Sequence, residues 1–173
     1  MLRLLLLRHS KTEPHNPSRD HARALLERGR VDAKRVGKFI AARKYDVAAA
    51  VHSGARRAKE TLAIALAELP NGVPVLMEPR LYEASMNGFL LALKDLPEDA
   101  KVVLVVGHNP SIAEAAHRLA GSGEEASLAR MAAKFPTSGL AVFDLDLERW
   151  ADISPGVGRL VVFVTPTTLA DDD

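Results

Sequence analysis

The sequence predicts a single domain of the α/β class, an α/β/α sandwich with a mainly parallel central sheet. Its 173 residues are enough for one domain with a substantial core and too few for two ordinary domains. The apolar runs at residues 4–7 and 102–106 are short and bounded by polar residues, as buried strands are. Strand-like and helical segments alternate along the chain, and this order is typical of a parallel sheet covered by helices.

The segment that follows the first strand has the features of a loop and then of a helix. The loop at residues 12–18 contains two prolines. A short helical or turn segment begins at Asp20 and is closed by Gly29. An amphipathic helix at residues 30–43 follows, because Val31 and later apolar residues recur at helical spacing.

The middle of the chain repeats this alternation of strand and helix. A strand at residues 47–51 leads into a helix at residues 55–69, which is rich in alanine, leucine and glutamate. A third short strand is predicted at residues 73–77. A helix at residues 86–96 follows it and ends at Pro97.

The last third begins with the apolar strand at residues 102–107. Asn109 is the predicted N-cap of the next helix, with proline at its first position. Residues 121–125 break that helix, and another is predicted at residues 126–134. The final strands are predicted at 141–147 and 160–164, and the tail at 170–173 is expected to be frayed.

The composition excludes several classes of function. The absence of cysteine excludes disulfides, thiolate nucleophiles and cysteine-containing zinc or iron–sulfur sites. A net charge of +1 provides no broad positive surface for nucleic acid. The N-terminal apolar run is too short for a signal peptide, and no stretch approaches the length of a membrane span. We therefore expect a cytoplasmic protein without nucleic-acid or membrane partners.

Polar residues follow three of the predicted strands. Arg8 and His9 follow the first strand, Arg56 and Arg57 lie shortly after the second, and His108 follows the strand at residues 102–107. In an open α/β sheet, ligands bind beyond the carboxyl ends of the strands, so these side chains are expected at one crevice. Each could also simply mark where a strand meets water.

These residue types suit phosphoryl transfer. A phosphoryl group in transfer carries negative charge on its oxygens, so a site without metal must surround it with cations and fixed donors. Arg8, Arg57 and His108 can supply them, and an imidazole can attack phosphorus and carry the phosphoryl group. His9 is the natural nucleophile. No further ligands accompany the two histidines, so neither a metal nor another cofactor is expected.

The motifs, taken in order, resemble those of the histidine phosphatase superfamily. They are Arg8-His9, Ser53 with Arg57-Ala58 and Thr61, Leu81-Tyr82-Glu83-Ala84, and Gly107-His108-Asn109-Pro110. Within that superfamily the chain is similar to the SixA-type phosphohistidine phosphatases, because residues 20–29 resemble their Asp-x-x-Arg-x-Leu-x-x-Arg-Gly segment. The likeness extends over nearly the whole chain and implies a phosphoglycerate-mutase-like fold.

The resemblance implies a role for each of four residues. His9 would be the phosphorylated nucleophile, Arg8 and Arg57 would clamp the phosphate, and His108 would bind the phosphoryl oxygens. Arg56 competes with Arg57 for the clamp, although the spacing from the preceding serine favours Arg57.

Three further residues are candidates at the same site. Ser10 replaces the glycine that is common in the superfamily, and its hydroxyl could donate to phosphate. Ser53 and Gly54, just before a helix, could aim backbone N–H groups at the phosphate. Glu83 is the candidate general acid, although a carboxylate at a helix N-terminus can also be favoured by the helix dipole alone.

The substrate class depends on the leaving group. An ester leaves as a strongly basic alkoxide and needs a general acid, whereas a protonated phosphohistidine leaves as a neutral imidazole. We therefore predict a phosphatase for phosphohistidine on a protein, with two alternatives. These are a phosphatase for small phosphate esters and a phosphoprotein-binding module with negligible turnover. Oligomeric state is not predicted.

Four polar residues near the expected crevice receive a different interpretation. Asp20, Arg23 and Arg28 are predicted to form a structural cluster of ion pairs rather than to touch substrate. His15 is expected in the loop that passes over the crevice.

Overall fold

The computed structural model describes residues 1–171 of the chain, and residues 172–173 lie outside the described part. The strands are β1 (Leu2–Arg8), β2 (Ala49–His52), β3 (Val75–Met77), β4 (Val102–Gly107), β5 (Ala120–Gly123), β6 (Leu140–Leu145) and β7 (Gly158–Val164). The α-helices are α1 (Glu27–Ala42), α2 (Arg56–Leu66), α3 (Met86–Lys94), α4 (Ser111–Leu119), α5 (Glu125–Ala133) and α6 (Pro166–Asp171). Short 3₁₀ helices lie at Pro17–Ala22, Pro79–Leu81 and Trp150–Asp152.

The described strands form one sheet in the order β3-β2-β4-β1-β6-β7-β5. Strands β3, β2, β4 and β1 are parallel to one another, and β5 is parallel to β7. Strand β6 is antiparallel to both β1 and β7. The predicted α/β class and the mainly parallel sheet are confirmed.

Residues 4–7 of β1 are all apolar because helices cover both faces of the sheet. Leu4 and Leu6 pack into a core with side chains of α3 and α4. Leu5 and Leu7 point to the other face and pack with side chains of α1 and α2. A strand buried on both sides needs apolar residues at consecutive positions rather than at alternate ones.

Helix α1 begins earlier than predicted, and its buried face includes Val36 and Ile40 of the predicted apolar pattern but not Val31. Val31, expected on the buried face, is 42% exposed. A Cβ atom at Gly37 would lie 2.4 Å from the carbonyl oxygen of Ala65, so α1 and α2 meet at their backbones there. This close approach turns the small residues of α1 toward α2 and leaves Val31 outside.

Gly29 lies in the first turn of α1 and does not close the segment before it. A Cβ atom at this position would lie 2.2 Å from the carbonyl oxygen of Lys11. The glycine therefore lets the loop after β1, which carries active-site residues, pass directly against the helix.

We expect Gly29→Ala to destabilise the protein by about 1–3 kcal/mol, because the added methyl group overlaps backbone that cannot move away. The measurement is the free energy of unfolding in urea. Gly72→Ala is the matched control, since a Cβ atom there has no neighbour within 4 Å. Equal stability of the two variants would contradict the close approach at Gly29.

Two other local predictions differ from the structure. Residues 121–125 were expected only to break a helix, but most of them belong to β5, whose strand conformation comes from pairing with β7. Asn109 does not cap α4, which begins at Ser111. Its side-chain amide instead donates to the carbonyl oxygen of Phe135.

The tail expected to fray overlaps α6, which extends to Asp171. The rest of that prediction falls on residues 172–173, outside the described residues. In residues 1–171, none of the helices has the length and apolar character needed to cross a membrane.

Candidate active site

The parallel strands β1 and β4 bring two histidines together at their carboxyl ends. Arg8 pairs in register with Gly107, so His9 and His108 follow neighbouring strands at the same level. The backbone N–H of His9 donates to the carbonyl oxygen of Gly107 at 3.0 Å. The two imidazole ring centroids are 5.1 Å apart. The predicted crevice at this edge of the sheet is present.

The geometry around His9 leaves one ring nitrogen free to act as a nucleophile. Its Nδ1 lies 2.9 Å from the carbonyl oxygen of Ser10. A carbonyl only accepts hydrogen bonds, so Nδ1 carries the proton and Nε2 keeps its lone pair. His9 is only 7% exposed. Burial first, and then the charges of Arg57 and Arg8, lower the pKa of His9 to about 4, so the ring is neutral at pH 7.

His108 is held by Ser53 so that it presents an N–H group. Its Nε2 lies 2.6 Å from the hydroxyl oxygen of Ser53. That oxygen already accepts from the N–H of Ala55, which favours donation of the serine proton to Nε2. Nδ1 then carries the ring proton. Burial, with His9 and Arg57 nearby, lowers the pKa of His108 to about 3.

The half-buried Arg8 and the buried Arg57 lie beside the histidines, and each is held in place by hydrogen bonds from some of its guanidinium donors. Arg8 donates from Nη1 to the carbonyl oxygen of Phe135 at 3.0 Å. Arg57 donates from Nη1 to the carbonyl oxygen of Asp20 at 2.7 Å and from Nη2 to its carboxylate at 3.2 Å. Burial lowers the pKa of Arg8, which stays protonated at neutral pH.

Three buried donors at this site have no partner. Among buried side-chain nitrogen and oxygen atoms in residues 1–171, those without a hydrogen-bond partner are Nε of Arg8, Nε of Arg57 and Nδ1 of His108. Buried polar groups are nearly always paired, so this cluster of three unpaired donors is unusual. They belong to three of the residues predicted from the sequence to bind phosphate, and they are suited to an anion.

The two candidate clamp arginines differ in their surroundings. The side chain of Arg56 is 53% exposed and pairs with Glu60 at 2.6 Å. Arg57, by contrast, lines the catalytic cleft with Arg8, His9 and His108. This placement favours Arg57 over Arg56 as the residue that clamps the phosphate.

The catalytic cleft, lined by these four residues and the loop after β1, has a volume of about 320 Å³. His15 of that loop also lines it, and its Nδ1 lies 3.1 Å from the carboxylate of Asp20.

Asp20 links the loop to the clamp. Tyr82 donates its hydroxyl to Asp20 at 2.5 Å, and Arg23 and Arg57 also pair with this carboxylate. The hydrogen bond from Tyr82 and the two arginines hold the pKa of Asp20 well below its usual range. Asp20 therefore stays ionised and orients Arg57. Arg28, expected in the same cluster, lines a different cavity.

Ser10 is fully buried and engaged with the protein. Its hydroxyl lies 2.5 Å from that of Ser138, and its backbone N–H donates to Thr61 at 3.0 Å. The geometry favours a role in fixing the loop that holds His9. Ser53 is likewise directed at His108, with Gly54 at a positive φ of 94° beside it.

Glu83 is exposed and has a positive φ of 51°. It lines a second cavity of about 370 Å³, and Arg57 and His108 line this cavity as well. Glu83 therefore adjoins Arg57 and His108 through this cavity, which we call the outer cavity, and its role as an acid stays a prediction.

A family model described as the histidine phosphatase superfamily (branch 1) matches residues 4–90. The chain belongs to the histidine phosphatase superfamily. The match ends before His108, so the second histidine is placed by the geometry above and by the sequence motif around it.

Similar proteins cover almost the whole chain. An uncharacterized protein of Mycobacterium tuberculosis is 35% identical over 162 residues, which are 92% of this chain and 99% of that protein. The structure of a candidate SixA phosphohistidine phosphatase from Agrobacterium tumefaciens has a TM-score of 0.78 at 29% identity, over 95% of this chain and 98% of that one. The corresponding protein of Nakamurella multipartitia has a TM-score of 0.80 at 26% identity, over 95% and 96% of the two chains.

The predicted phosphoglycerate-mutase-like fold is also tested by comparison with a phosphoglycerate mutase structure. A phosphoglycerate mutase of Plasmodium falciparum has a TM-score of 0.55 at 19% identity, over 92% of this chain and 87% of that one. This likeness concerns the fold alone, and it confirms the phosphoglycerate-mutase-like architecture.

In this histidine phosphatase, we expect His9 to titrate near pH 4 in an NMR titration of the free protein. The pKa is lower in the folded than in the unfolded state, where it is about 6.5, so protonation favours unfolding. Stability is therefore lost as the pH falls from about 6.5 toward 4, and His9→Gln makes that loss smaller. A pKa of His9 near 6.5 would contradict the buried, neutral nucleophile.

Proposed function

We propose that the protein is a metal-independent phosphatase that removes phosphate from phosphohistidine on a protein through a phosphorylated His9. The observation that carries the proposal is the set of three unpaired buried donors, on Arg8, Arg57 and His108, beside a neutral imidazole. Fixed donors of this kind stabilise the charge that develops on a transferring phosphoryl group. Membership of the histidine phosphatase superfamily supports the same chemistry.

In the first step, Nε2 of His9 attacks phosphorus while the bond from phosphorus to the substrate imidazole breaks. The electron pair of that bond returns to the leaving nitrogen, and a substrate ring that is already protonated leaves as neutral histidine. Arg8, Arg57 and the Nδ1–H of His108 donate to the phosphoryl oxygens. The carbonyl of Ser10 holds the Nδ1 proton of His9, so the phosphorylated ring keeps its orientation.

In the second step, a water molecule attacks phosphorus and the bond to Nε2 of His9 breaks. The lone pair returns to Nε2, one water proton passes to solvent, and inorganic phosphate leaves. No metal ion is required in either step, so we expect full turnover in the presence of a chelator.

The choice of a protein substrate rests on the leaving group and on similar structures. A protonated imidazole needs no general acid, and Glu83 lies exposed at the outer cavity. The similarity to candidate SixA phosphohistidine phosphatases, at 29% and 26% identity, supports the same substrate class. A cytoplasmic location and the absence of nucleic-acid and membrane partners stay predictions.

A phosphatase for small phosphate esters is the second candidate, because Glu83 shares its cavity with Arg57 and His108. Under our proposal, Glu83→Gln changes kcat for a phosphohistidine peptide by less than about threefold. For an ester substrate, loss of a general acid would cost about 10²–10⁴-fold. The measurement is phosphate release from both substrate types.

Glu13→Gln is the control, because Glu13 is a carboxylate that lines the catalytic cleft, whereas Glu83 lines the second cavity. A large loss on the peptide that is specific to Glu83→Gln would contradict the proposed substrate class. A preference of the wild type for sugar or nucleotide phosphates would assign the protein to the ester phosphatases. Capture of one phosphate without release would indicate a phosphoprotein-binding module.

A further inference from the structure

A second cavity adjoins the catalytic cleft on the side of α1, α5 and α6. Its volume is about 710 Å³, and Lys11 and Thr137 line both this cavity and the cleft. We call it the basic groove. Its charged lining residues are Lys11, Arg28, Asp32, Arg35, Arg130 and Lys134. An extended ligand could therefore occupy the cleft and the groove together.

The groove concentrates positive charge that the whole chain does not have. Five of its lining residues are basic and one is acidic, whereas the net charge of the chain is +1. The acidic residue, Asp32, is buried beside Arg35, and burial raises its pKa. Within residues 1–171, Lys11, Arg130 and Lys134 make no ion pair. Cations without carboxylate partners beside a catalytic cleft attract and orient an anionic ligand.

The spacing of the groove's basic residues suits a chain of carboxylates better than one compact anion. Arg28 and Arg35, the latter paired with Asp32, are seven residues apart on α1, which corresponds to about 10 Å along a helix. Arg130 and Lys134 lie on a different element, at the end of α5. An acidic polypeptide segment that lies along the groove can contact both elements.

The groove also offers contacts other than charge. The buried ring of Phe163 lies beneath Arg130, whose guanidinium carbon is 6.0 Å from the ring centroid. Thr165 and Thr167 line the same wall, and Thr167 is exposed. Threonine hydroxyls can donate to carboxylate or backbone carbonyl oxygens of a bound segment.

We propose that the basic groove binds an acidic segment of the protein substrate next to its phosphohistidine. This inference rests on the proposed function, because the groove joins the cleft in which His9 would be phosphorylated. It adds a determinant of specificity, since phosphohistidines without neighbouring carboxylates would lack these contacts.

The test compares two phosphohistidine peptides of equal length, one flanked by glutamates and the other by glutamines. We expect wild-type kcat/KM to be higher for the acidic peptide by about tenfold at low ionic strength, since several exposed charge pairs contribute modestly each. The triple variant Arg28→Gln/Arg130→Gln/Lys134→Gln loses this preference. Its kcat/KM for free phosphohistidine stays unchanged, and salt abolishes the wild-type preference.

The matched control is Lys34→Gln/Lys38→Gln/Arg43→Gln, which removes the same charge from residues of α1 and its C-cap that do not line the groove. This control keeps the preference. Equal kcat/KM for the two peptides in the wild type would contradict the proposed role of the basic groove. Equal loss of preference in both triple variants would contradict it as well.

A binding measurement distinguishes an error in the proposed role of the groove from an error in the proposed phosphatase function. Fluorescence anisotropy with unphosphorylated versions of both peptides reports the groove without chemistry. If the wild type hydrolyses neither phosphopeptide, the proposed function fails. Tighter binding of the acidic peptide, lost in the Arg28/Arg130/Lys134 variant, would still support the groove, and equal binding would overturn it.

Discussion

His9→Ala abolishes phosphate release, with a decrease in kcat of about 10⁴-fold or more. The reason is that His9 supplies a neutral imidazole nitrogen with a free lone pair in the cleft that Arg8, Arg57 and His108 also line. Without it, the clamp still binds phosphate but has no carrier for it. Phosphate release from a phosphohistidine peptide is measured at neutral pH with a chelator present.

His117→Ala is the control for this variant, because His117 is an exposed residue of α4 and lines neither cavity of the site. It keeps wild-type kcat. The hydrogen bond of His9 is to the adjacent residue, so its removal leaves the fold intact, which circular dichroism checks. Activity of His9→Ala within tenfold of the wild type would contradict a covalent mechanism at this residue.

Arg57→Ala lowers kcat/KM by about 10²–10³-fold, the usual cost of removing one preorganised donor from a charged transition state. The matched control is Arg56→Ala, which removes the same side chain one residue earlier. Arg56 is paired with Glu60 outside the cleft, so its loss changes kcat/KM by less than about threefold. Similar losses in both variants would show that α2 contributes charge in general rather than a specific clamp.

Arg57 also holds the segment that contains Asp20 in place. The loss of activity in Arg57→Ala could therefore arise from a displaced loop, and a second variant distinguishes the two causes. Asp20→Asn keeps the Arg57 guanidinium in the site, because the bond to the backbone carbonyl oxygen of residue 20 remains. It weakens only the bond to the side chain of residue 20. We expect a loss smaller than that of Arg57→Ala, expressed mainly in KM. An equal loss in kcat would mean that the orientation of the loop, rather than the guanidinium, carries the effect.

The central strands and the nucleophile could be predicted from the sequence because their signals are local. The run of leucines in β1 has no polar position, which only a strand covered on both faces requires. Arg8, His9 and His108 each follow directly after such a strand. Since parallel strands end at the same edge, their meeting follows from the strand assignments alone.

The errors of local prediction arise where tertiary contacts override a local pattern. Val31 fits the helical spacing of α1 but is excluded because the small residue Gly37 faces Ala65 of α2. Gly29 has the features of a helix stop, yet it lies in the first turn of α1. Its lack of a side chain leaves room there for the backbone of Lys11. The segment of β5 has no apolar signal at all and depends on β7. None of these partners is near in sequence.

The hydrogen bonds between side chains of the site could not be predicted from the sequence either. The bond from Ser53 to His108 and the contact of Tyr82 with Asp20 join residues more than fifty positions apart. The motif segments named these residues but not their partners. Ser138, which holds Ser10, belongs to no motif considered in the sequence. The basic groove likewise requires α1, α5 and α6 to be packed together before its charges converge.

The most direct test of the covalent mechanism is capture of the phosphorylated protein. A phosphohistidine peptide is mixed with the wild type, the reaction is quenched rapidly at alkaline pH, and the digested protein is analysed by mass spectrometry. We predict phosphate on the fragment that contains His9, at up to one per chain, formed and lost at rates that account for turnover. Turnover without a phosphorylated protein, or with phosphate on another residue, would contradict His9 as the nucleophile.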